Sequence, residues 1–280
     1  MLGPLFAALL TFMRIHINEK SAELADDATL LQVRQRFKAD ADVMIVNGFP
    51  ATVDATLCDG DRVVLIRRGE RPGADELEAL MASRHTPGVH ARIKRSVVGI
   101  AGAGGLGSAI AVALARIGVG TLIIADFDVV EPSNLNRQQY FIDQIGLPKV
   151  EALAENLARI NPYVRVVTHN LRLTPDNIPQ LFGEVDVLTE AFDGADQKAM
   201  LVETFLGRCP GRPLVAASGM AGYGPSNTVT TRRAAGNFYL VGDLESAAGP
   251  GEGLMAPRVG IAAHHQANAV LRLLLGEEPG

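Results

Sequence analysis

The stretch Gly102-Ala103-Gly104-Gly105-Leu106-Gly107 constrains this chain more than any other. It follows Val97-Val98-Gly99-Ile100-Ala101, a nearly continuous apolar run of the kind buried on both faces of a parallel sheet. It opens a segment rich in alanine and leucine that reads as helix to about Ile117. A G-x-G-x-x-G turn in that setting lets backbone approach phosphate oxygens, and the helix N-terminus adds donors and partial positive charge. Thr121–Ala125 reads as the next strand, with further candidates at Val164–Thr168, Val185–Thr189 and Pro213–Ala217 between helical runs. This alternation predicts an α/β, doubly wound sheet that binds a nucleotide.

The charged residues narrow the nucleotide. Asp126 ends the second strand, nineteen residues after Gly107, where a carboxylate accepts ribose hydroxyls. Asp128 follows, and at a strand end it serves either a ligand or nearby backbone donors. Arg137 and Lys149 come next, in Glu131-Pro132-Ser133-Asn134-Leu135-Asn136-Arg137-Gln138 and Gly146-Leu147-Pro148-Lys149. A redox dinucleotide gives no reason for two such cations. Charge building on an α-phosphate and a departing pyrophosphate does. Asp193 falls in the loop after the fourth strand, at the sheet edge where ligands bind, and is a candidate magnesium ligand.

Composition sets outer limits. With 280 residues, 48% apolar and 20% charged, the chain can bury one large core or two modest ones. A net charge of −5 offers no basic field for nucleic acid or an anionic membrane. Two cysteines, Cys58 and Cys209, exclude a disulfide framework and a four-cysteine zinc site, and a reducing, cytoplasmic location is expected. Both are read as small buried residues rather than nucleophiles, and His264 and His265 as packing residues of a helix over Ala262–Leu275. The apolar residues 1–12 are too short to span a bilayer and lack a basic n-region, so they read as an extension before Met13.

From Met13 the pattern is different. Arg14–Asn18 alternates as a strand that turns at Asn18-Glu19-Lys20, and a helix is expected around Leu30–Phe37 after Asp27-Ala28-Thr29. Val43–Val46 and Arg62–Ile66 read as strands, the first closed by Asn47-Gly48. Ala74–Ala82 reads as a spacer helix, broken at Thr86-Pro87-Gly88. Through its opening strand, the Val46-Asn47-Gly48 turn and Asp59-Gly60-Asp61-Arg62-Val63, the unit resembles the β-grasp sulfur carriers of the ThiS kind. Those carriers react through a C-terminal Gly-Gly. Here the strand runs into Arg67-Arg68-Gly69-Glu70-Arg71-Pro72, so a scaffolding, docking or dimerising role is expected instead. The expected organisation is an extension over 1–12, a β-grasp domain over 13–70, a linker and helix over 71–95, and the nucleotide domain over 96–280.

Three motifs of the last domain act together: G-x-G-G-L-G, D-x-D-x-V-x-x-S-N-L-N-R-Q and G-x-x-K. With the aspartate after the fourth strand and a closing helix from Gly260, residues 90 to 276 closely resemble the ThiF/MoeB adenylyltransferases, relatives of the ubiquitin-activating enzymes. The fused front domain makes the chain most similar to the short ThiF-type proteins of thiamine biosynthesis. The resemblance implies a Rossmann-like sheet in which Gly102, Gly104, Gly105, Leu106 and Gly107 hold the phosphates. Asp126 would bind the ribose, with Asp128 at the ribose or magnesium. Asn134, Arg137, Gln138 and Lys149 would contact the triphosphate and incoming carboxylate, Asp193 would bind magnesium, and Lys198 stands where relatives carry a basic residue.

The implied reaction is attack by a carrier's C-terminal glycine carboxylate on the α-phosphate of ATP, giving an acyl-adenylate and pyrophosphate. Expected partners are ATP, Mg2+, a ThiS-like carrier ending in Gly-Gly, and a second copy of the chain, with no zinc, nucleic acid or membrane. An arginine donated across the dimer has three candidates, Arg84, Arg92 and Arg95. Ala247–Gly253 reads as a loop that either guides the carrier tail or merely links elements. Alternative readings are a related enzyme adenylating another carrier, a small molecule or a modified tRNA, an NAD-dependent oxidoreductase, and a non-catalytic module that docks a carrier. The oxidoreductase leaves Arg137, Lys149 and Asp193 without a task.

Overall fold

The computed structural model describes residues 11–52, 54–86 and 88–280. Residues 1–10, most of the expected extension, lie outside the described residues. The chain divides into two compact units, Met1–Pro87 and Gly88–Gly280.

The first unit contains β1 (Phe12–Ile17), β2 (Lys20–Ala25), α1 (Leu30–Phe37), β3 (Val43–Val46), β4 (Phe49–Pro50), β5 (Arg62–Ile66) and α2 (Ala74–Ala82). Its sheet runs β2-β1-β5-β3-β4, with β1 parallel to β5 and the other pairs antiparallel. Alternation in β1 sends Met13, Ile15 and Ile17 inward, where they meet Leu30 and Val33 of α1 and Val63 and Leu65 of β5. Both two-residue hairpins carry positive φ at their central residues, Asn18 and Glu19 in one and Asn47 and Gly48 in the other, which matches the twist of the strands they join. Thr29 caps α1 reciprocally with Gln32.

Three details of this unit differ from expectation. Pairing of Phe12 with Ala25 starts the sheet one residue inside the stretch read as extension. The strand β2, Lys-Ser-Ala-Glu-Leu-Ala, buries only Leu24 well and so lacks a strand's alternation. Cys58 is exposed, not buried, because it lies in the tight turn before β5, where its N–H is held by the Asp61 carboxylate.

The second unit contains α3 (Val89–Ile93), β6 (Val97–Ala101), α4 (Gly105–Arg116), β7 (Thr121–Asp126), α5 (Lys149–Ile160), β8 (Arg165–Asn170), α6 (Asn177–Phe182), β9 (Val187–Glu190), α7 (Ala195–Arg208), β10 (Leu214–Ala217), β11 (Thr230–Ala235), β12 (Phe238–Gly242) and α8 (Ala256–Leu274). The sheet order is β11-β12-β10-β9-β6-β7-β8. All neighbours are parallel except β11, an antiparallel edge on β12. The chain therefore winds outward from β6 to β8, returns to β9 beside β6, and winds the other way, as in a doubly wound nucleotide fold.

Apolar residues of α4, α5 and α8 cover one face through Ile110, Leu114, Leu153, Ala262 and Val270. The other face is covered by α6 and α7 through Ile178, Phe182, Leu201 and Phe205, with Cys209 buried among them. His264 bonds the Gly260 carbonyl within α8, and His265 meets the Thr231 hydroxyl, so both histidines serve the helix and its neighbour. The strands β11 and β12 have no counterpart among the strands expected from the sequence. Thr230–Ala235 is polar on an exposed edge, while Phe238–Val241 carries a real but brief apolar signal.

Candidate functional site

The carboxyl ends of six parallel strands open into one cleft of about 590 Å³. Each strand contributes lining: Gly102 after β6, Asp126 at the end of β7, Leu171–Leu173 after β8, Ala191–Asp193 after β9, Ala217–Ala221 around the end of β10, and Leu244–Ala248 after β12. This is the crevice where open α/β sheets bind ligands.

The glycine turn is held by its neighbours. Asp126 accepts the Ala103 N–H at 2.6 Å and, through its other oxygen, the Asp128 N–H at 2.8 Å. The buried Tyr140 hydroxyl donates to the Ala103 carbonyl at 2.7 Å. Burial pushes the Asp126 carboxyl up, against the pull of those two N–H groups and of Lys149. Its oxygens retain lone pairs for further donors such as ribose hydroxyls. Burial also drives the Tyr140 phenol far upward, helped by the charges of Asp126 and Asp128, so it stays a neutral donor. A Cβ on Gly107 would lie 1.8 Å from the Gly102 carbonyl oxygen, so this glycine permits α4 to pack against the turn.

Of the residues singled out in the sequence, Gly102, Gly104, Gly105, Leu106, Asp126, Asp128, Arg137, Gln138, Lys149, Asp193 and Lys198 all line the cleft. Gly107 does not, for the packing reason just given. Nor does Asn134: it is buried, and its side-chain oxygen accepts the Glu131 N–H at 3.1 Å, bracing the 3-10 turn over Pro132–Asn136.

The cations divide into three states. Arg137 lays its aliphatic stem over Gly105, and its guanidinium donates to the Asn136 side chain and the Ser133 carbonyl. It has no carboxylate partner among the described residues. Lys149 opens α5 and donates to Asp128 at 2.8 Å, which leaves two N–H donors. Lys198 bonds both oxygens of Glu190, at 2.9 and 3.0 Å, and the Ala217 carbonyl at 3.0 Å. All three of its donors are taken up by these bonds.

Glu190 had no sequence signal beyond its place at a strand end. It is fully buried; burial pushes its carboxyl up, Lys198 pulls it down, and the Phe192 N–H adds a bond at 2.6 Å. That bond shapes the loop carrying Asp193. Asp193 itself is exposed in the cleft, with no hydrogen bond or cation among the described residues. The buried Gln138 oxygen also has no hydrogen-bond partner among the described residues. A second cluster outside any motif joins Asp243 to Arg258. Among the described residues no group of three or more His, Cys, Asp or Glu could hold a metal, and no helix is long and apolar enough to cross a membrane.

Comparison with known proteins follows this division. The ThiF family matches residues 78–280, and the ThiS-like ubiquitin family matches residues 13–69. The probable adenylyltransferase/sulfurtransferase MoeZ of Mycobacterium tuberculosis is 42% identical over 103 residues, 36% of this chain and 26% of that protein. Ubiquitin-like modifier-activating enzyme 5 of Drosophila virilis is 46% identical over 95 residues, 34% of this chain and 24% of that protein. The adenylyltransferase and sulfurtransferase MOCS3 of Aedes aegypti is 36% identical over 130 residues, 46% of this chain and 29% of that protein. The chain thus spans about a quarter of the length of these curated relatives. Among solved structures, the Escherichia coli tRNA N6-threonylcarbamoyladenosine dehydratase TcdA in complex with AMP has a TM-score of 0.63 at 24% identity, covering 70% of this chain and 93% of that one. Escherichia coli MccB with ATP has a TM-score of 0.54 at 22% identity, covering 74% and 61%. At these identities the likeness is one of fold.

Proposed function

The chain belongs to the ThiF family, with a ThiS-like ubiquitin domain in front, and on that premise we propose that it is an ATP-dependent adenylyltransferase. Its acceptor in this reading is the C-terminal glycine carboxylate of a ThiS-like sulfur carrier, and its setting is thiamine thiazole synthesis in the cytoplasm. One observation carries the reading. Arg137, without a carboxylate partner, and Asp193, without a cation, both among the described residues, share the cleft of a phosphate-binding glycine turn.

The carrier carboxylate is ionised at neutral pH, so its attack on the α-phosphorus needs no general base. A C–O–P bond forms, the bond from the α-phosphorus to the bridging oxygen breaks, and pyrophosphate leaves with the electron pair. Arg137 and the two remaining donors of Lys149 are the groups available to charge developing on the phosphates. The backbone N–H groups at the start of α4 supply further donors. Asp126, braced by the glycine turn, serves the ribose hydroxyls.

The residues present suit Mg2+ held in the usual nucleotide manner, by one carboxylate plus phosphates and water, and Asp193 is the free carboxylate for it. The chemistry such an ion supplies is neutralisation of charge on the departing pyrophosphate. The front domain is not the substrate, because β5 runs on through Arg67–Gly73 into α2 without a Gly-Gly end.

ATP–pyrophosphate exchange with Mg2+, with and without a Gly-Gly-ended carrier, tests the proposal. Carrier-dependent exchange is expected, with Arg137→Ala and Asp193→Ala each lowering it about 100-fold while circular dichroism stays unchanged. ATP binding without exchange on any carrier would move the acceptor to another carboxylate or a nucleoside. Absence of ATP binding would end the adenylation reading.

A further inference from the structure

Two loops of the cleft wall are tied together by a pair of residues that no motif contains. The first loop leaves β10 and includes Ser218–Ala221; the second leaves β12 and includes Leu244–Ala248. Asp243, at the head of the second, accepts four hydrogen bonds. They come from the Glu245 and Ser246 N–H groups at 2.9 and 2.8 Å, the Ser246 hydroxyl at 2.7 Å, and the Arg258 guanidinium. Arg258, in the first turn of α8, is itself buried. It donates onward to the first loop, at the Gly224 and Pro225 carbonyls (2.8 and 3.0 Å) and the Thr228 hydroxyl (3.1 Å).

The close fit is written into the backbone. Gly219 has φ +80°, and a Cβ there would lie 2.0 Å from the Asp243 carboxylate. Leu244, which lines the cleft, is held at φ +67°, a left-handed conformation that costs a leucine free energy and persists only where its surroundings enforce it. The Leu244 N–H is bonded to the Ser218 carbonyl at 3.1 Å, and the Asp243 N–H to Gly219 at 2.9 Å. None of these contacts touches the glycine turn, Asp126, Arg137, Lys149 or Asp193.

We infer that Arg258, acting through Asp243, is a positioning residue that sets this wall independently of the nucleotide-binding groups. In the adenylation reading, on which this assignment rests, the wall is assigned to the acceptor, because β10 and β12 lie on the other side of β6 from β7, whose end carries the ribose-binding Asp126. It therefore fixes how the carboxylate-bearing segment is presented to the α-phosphate. The planar guanidinium suits the task, since it addresses both loops at once from one rigid fork, which a lysine cannot reproduce.

Three full-length variants test it: Arg258→Lys, Asp243→Asn, and the double variant Arg258→Met/Asp243→Asn, which removes both charges together. ATP affinity by calorimetry and amide hydrogen exchange require no acceptor. The expected result is an ATP Kd within about twofold of the parent, with faster exchange confined to residues 218–228 and 243–248. A parallel fall in ATP affinity, or faster exchange at Gly102–Gly107 and Asp193, would overturn the independence of the wall. So would unchanged exchange in the two loops of the double variant. With a Gly-Gly-ended carrier, the KM for carrier should rise about tenfold while the KM for ATP holds, with Arg258→Lys falling between parent and double variant. An unchanged carrier KM would overturn the acceptor assignment. A parent protein inactive with every carrier would count against the adenylation reading, while the two acceptor-free measurements would still decide whether the pair sets the wall.

Discussion

Lys149 retains two donors after bonding Asp128, whereas Lys198 spends all three on Glu190 and Ala217. Equal charges in one cleft therefore do different jobs, and substitutions should separate them. Lys198→Met strands a fully buried carboxylate and should cost about 3–5 kcal/mol in urea unfolding. Adding Glu190→Leu removes the stranded charge and should recover most of that loss, leaving ATP affinity near the parent's. A Lys198→Met protein of parental stability that no longer binds ATP would return Lys198 to the phosphates. The contrast also shows what a sequence can carry. Lys149 stands in a G-x-x-K step and Arg137 in S-N-L-N-R-Q, motifs with a fixed relation to the glycine turn. The partners Glu190 and Lys198, or Asp243 and Arg258, obey no spacing rule. The first pair depends on how the loop from β9 folds back into α7, and the second on two loops meeting in space, neither of which a sequence motif encodes.

Among elements, the turn from β6 to α4 is tightly specified. The carbonyl of Gly102 and the α-carbon of Gly107 approach so closely that a methyl group at 107 would lie 1.8 Å from that oxygen. The obstacle is backbone, so no rotamer change relieves it. Gly107→Ala should destabilise the domain by about 1–3 kcal/mol, measurable as a lower urea midpoint, and should also weaken ATP by displacing the start of α4. If stability fell while ATP affinity held, the N–H groups of this turn would not be the phosphate cradle. The helices and central strands of this unit were legible because their burial imposes periodicity. β6 is apolar throughout, and α4 and α8 carry long alanine-rich faces. The elements that escaped sit where burial is one-sided or absent. β2 buries one residue well, and β11 is exposed along nearly its whole length.

Across the whole molecule, the change from strand alternation to a βαβ rhythm is what makes two units visible in the sequence. Their surfaces are less legible, because exposure depends on which loops meet. Phe141, Ile142, Ile145 and Leu147 stand exposed within seven residues, Ile142 at 79% of its full area. Val129, exposed as well, lies beside them through the bridge between Val129 and Pro148. The segment ends at Lys149, so this apolar surface borders the cleft. Single exposed apolar residues need no explanation, but five close together are a candidate association surface. We expect a second copy of the chain to cover it, since a self-complementary patch is the commonest way for one surface to be buried. Sedimentation velocity should then give a mass twice 29.7 kDa for the parent and 29.7 kDa for Ile142→Asp, with unchanged circular dichroism. A monomeric parent at every concentration would assign the patch to a different protein. A dimeric Ile142→Asp would place the dimer contact elsewhere on the chain. The same variant also asks whether association reaches the chemistry. Lost exchange activity in an Ile142→Asp monomer that still binds ATP would mean that the cleft is completed across the interface.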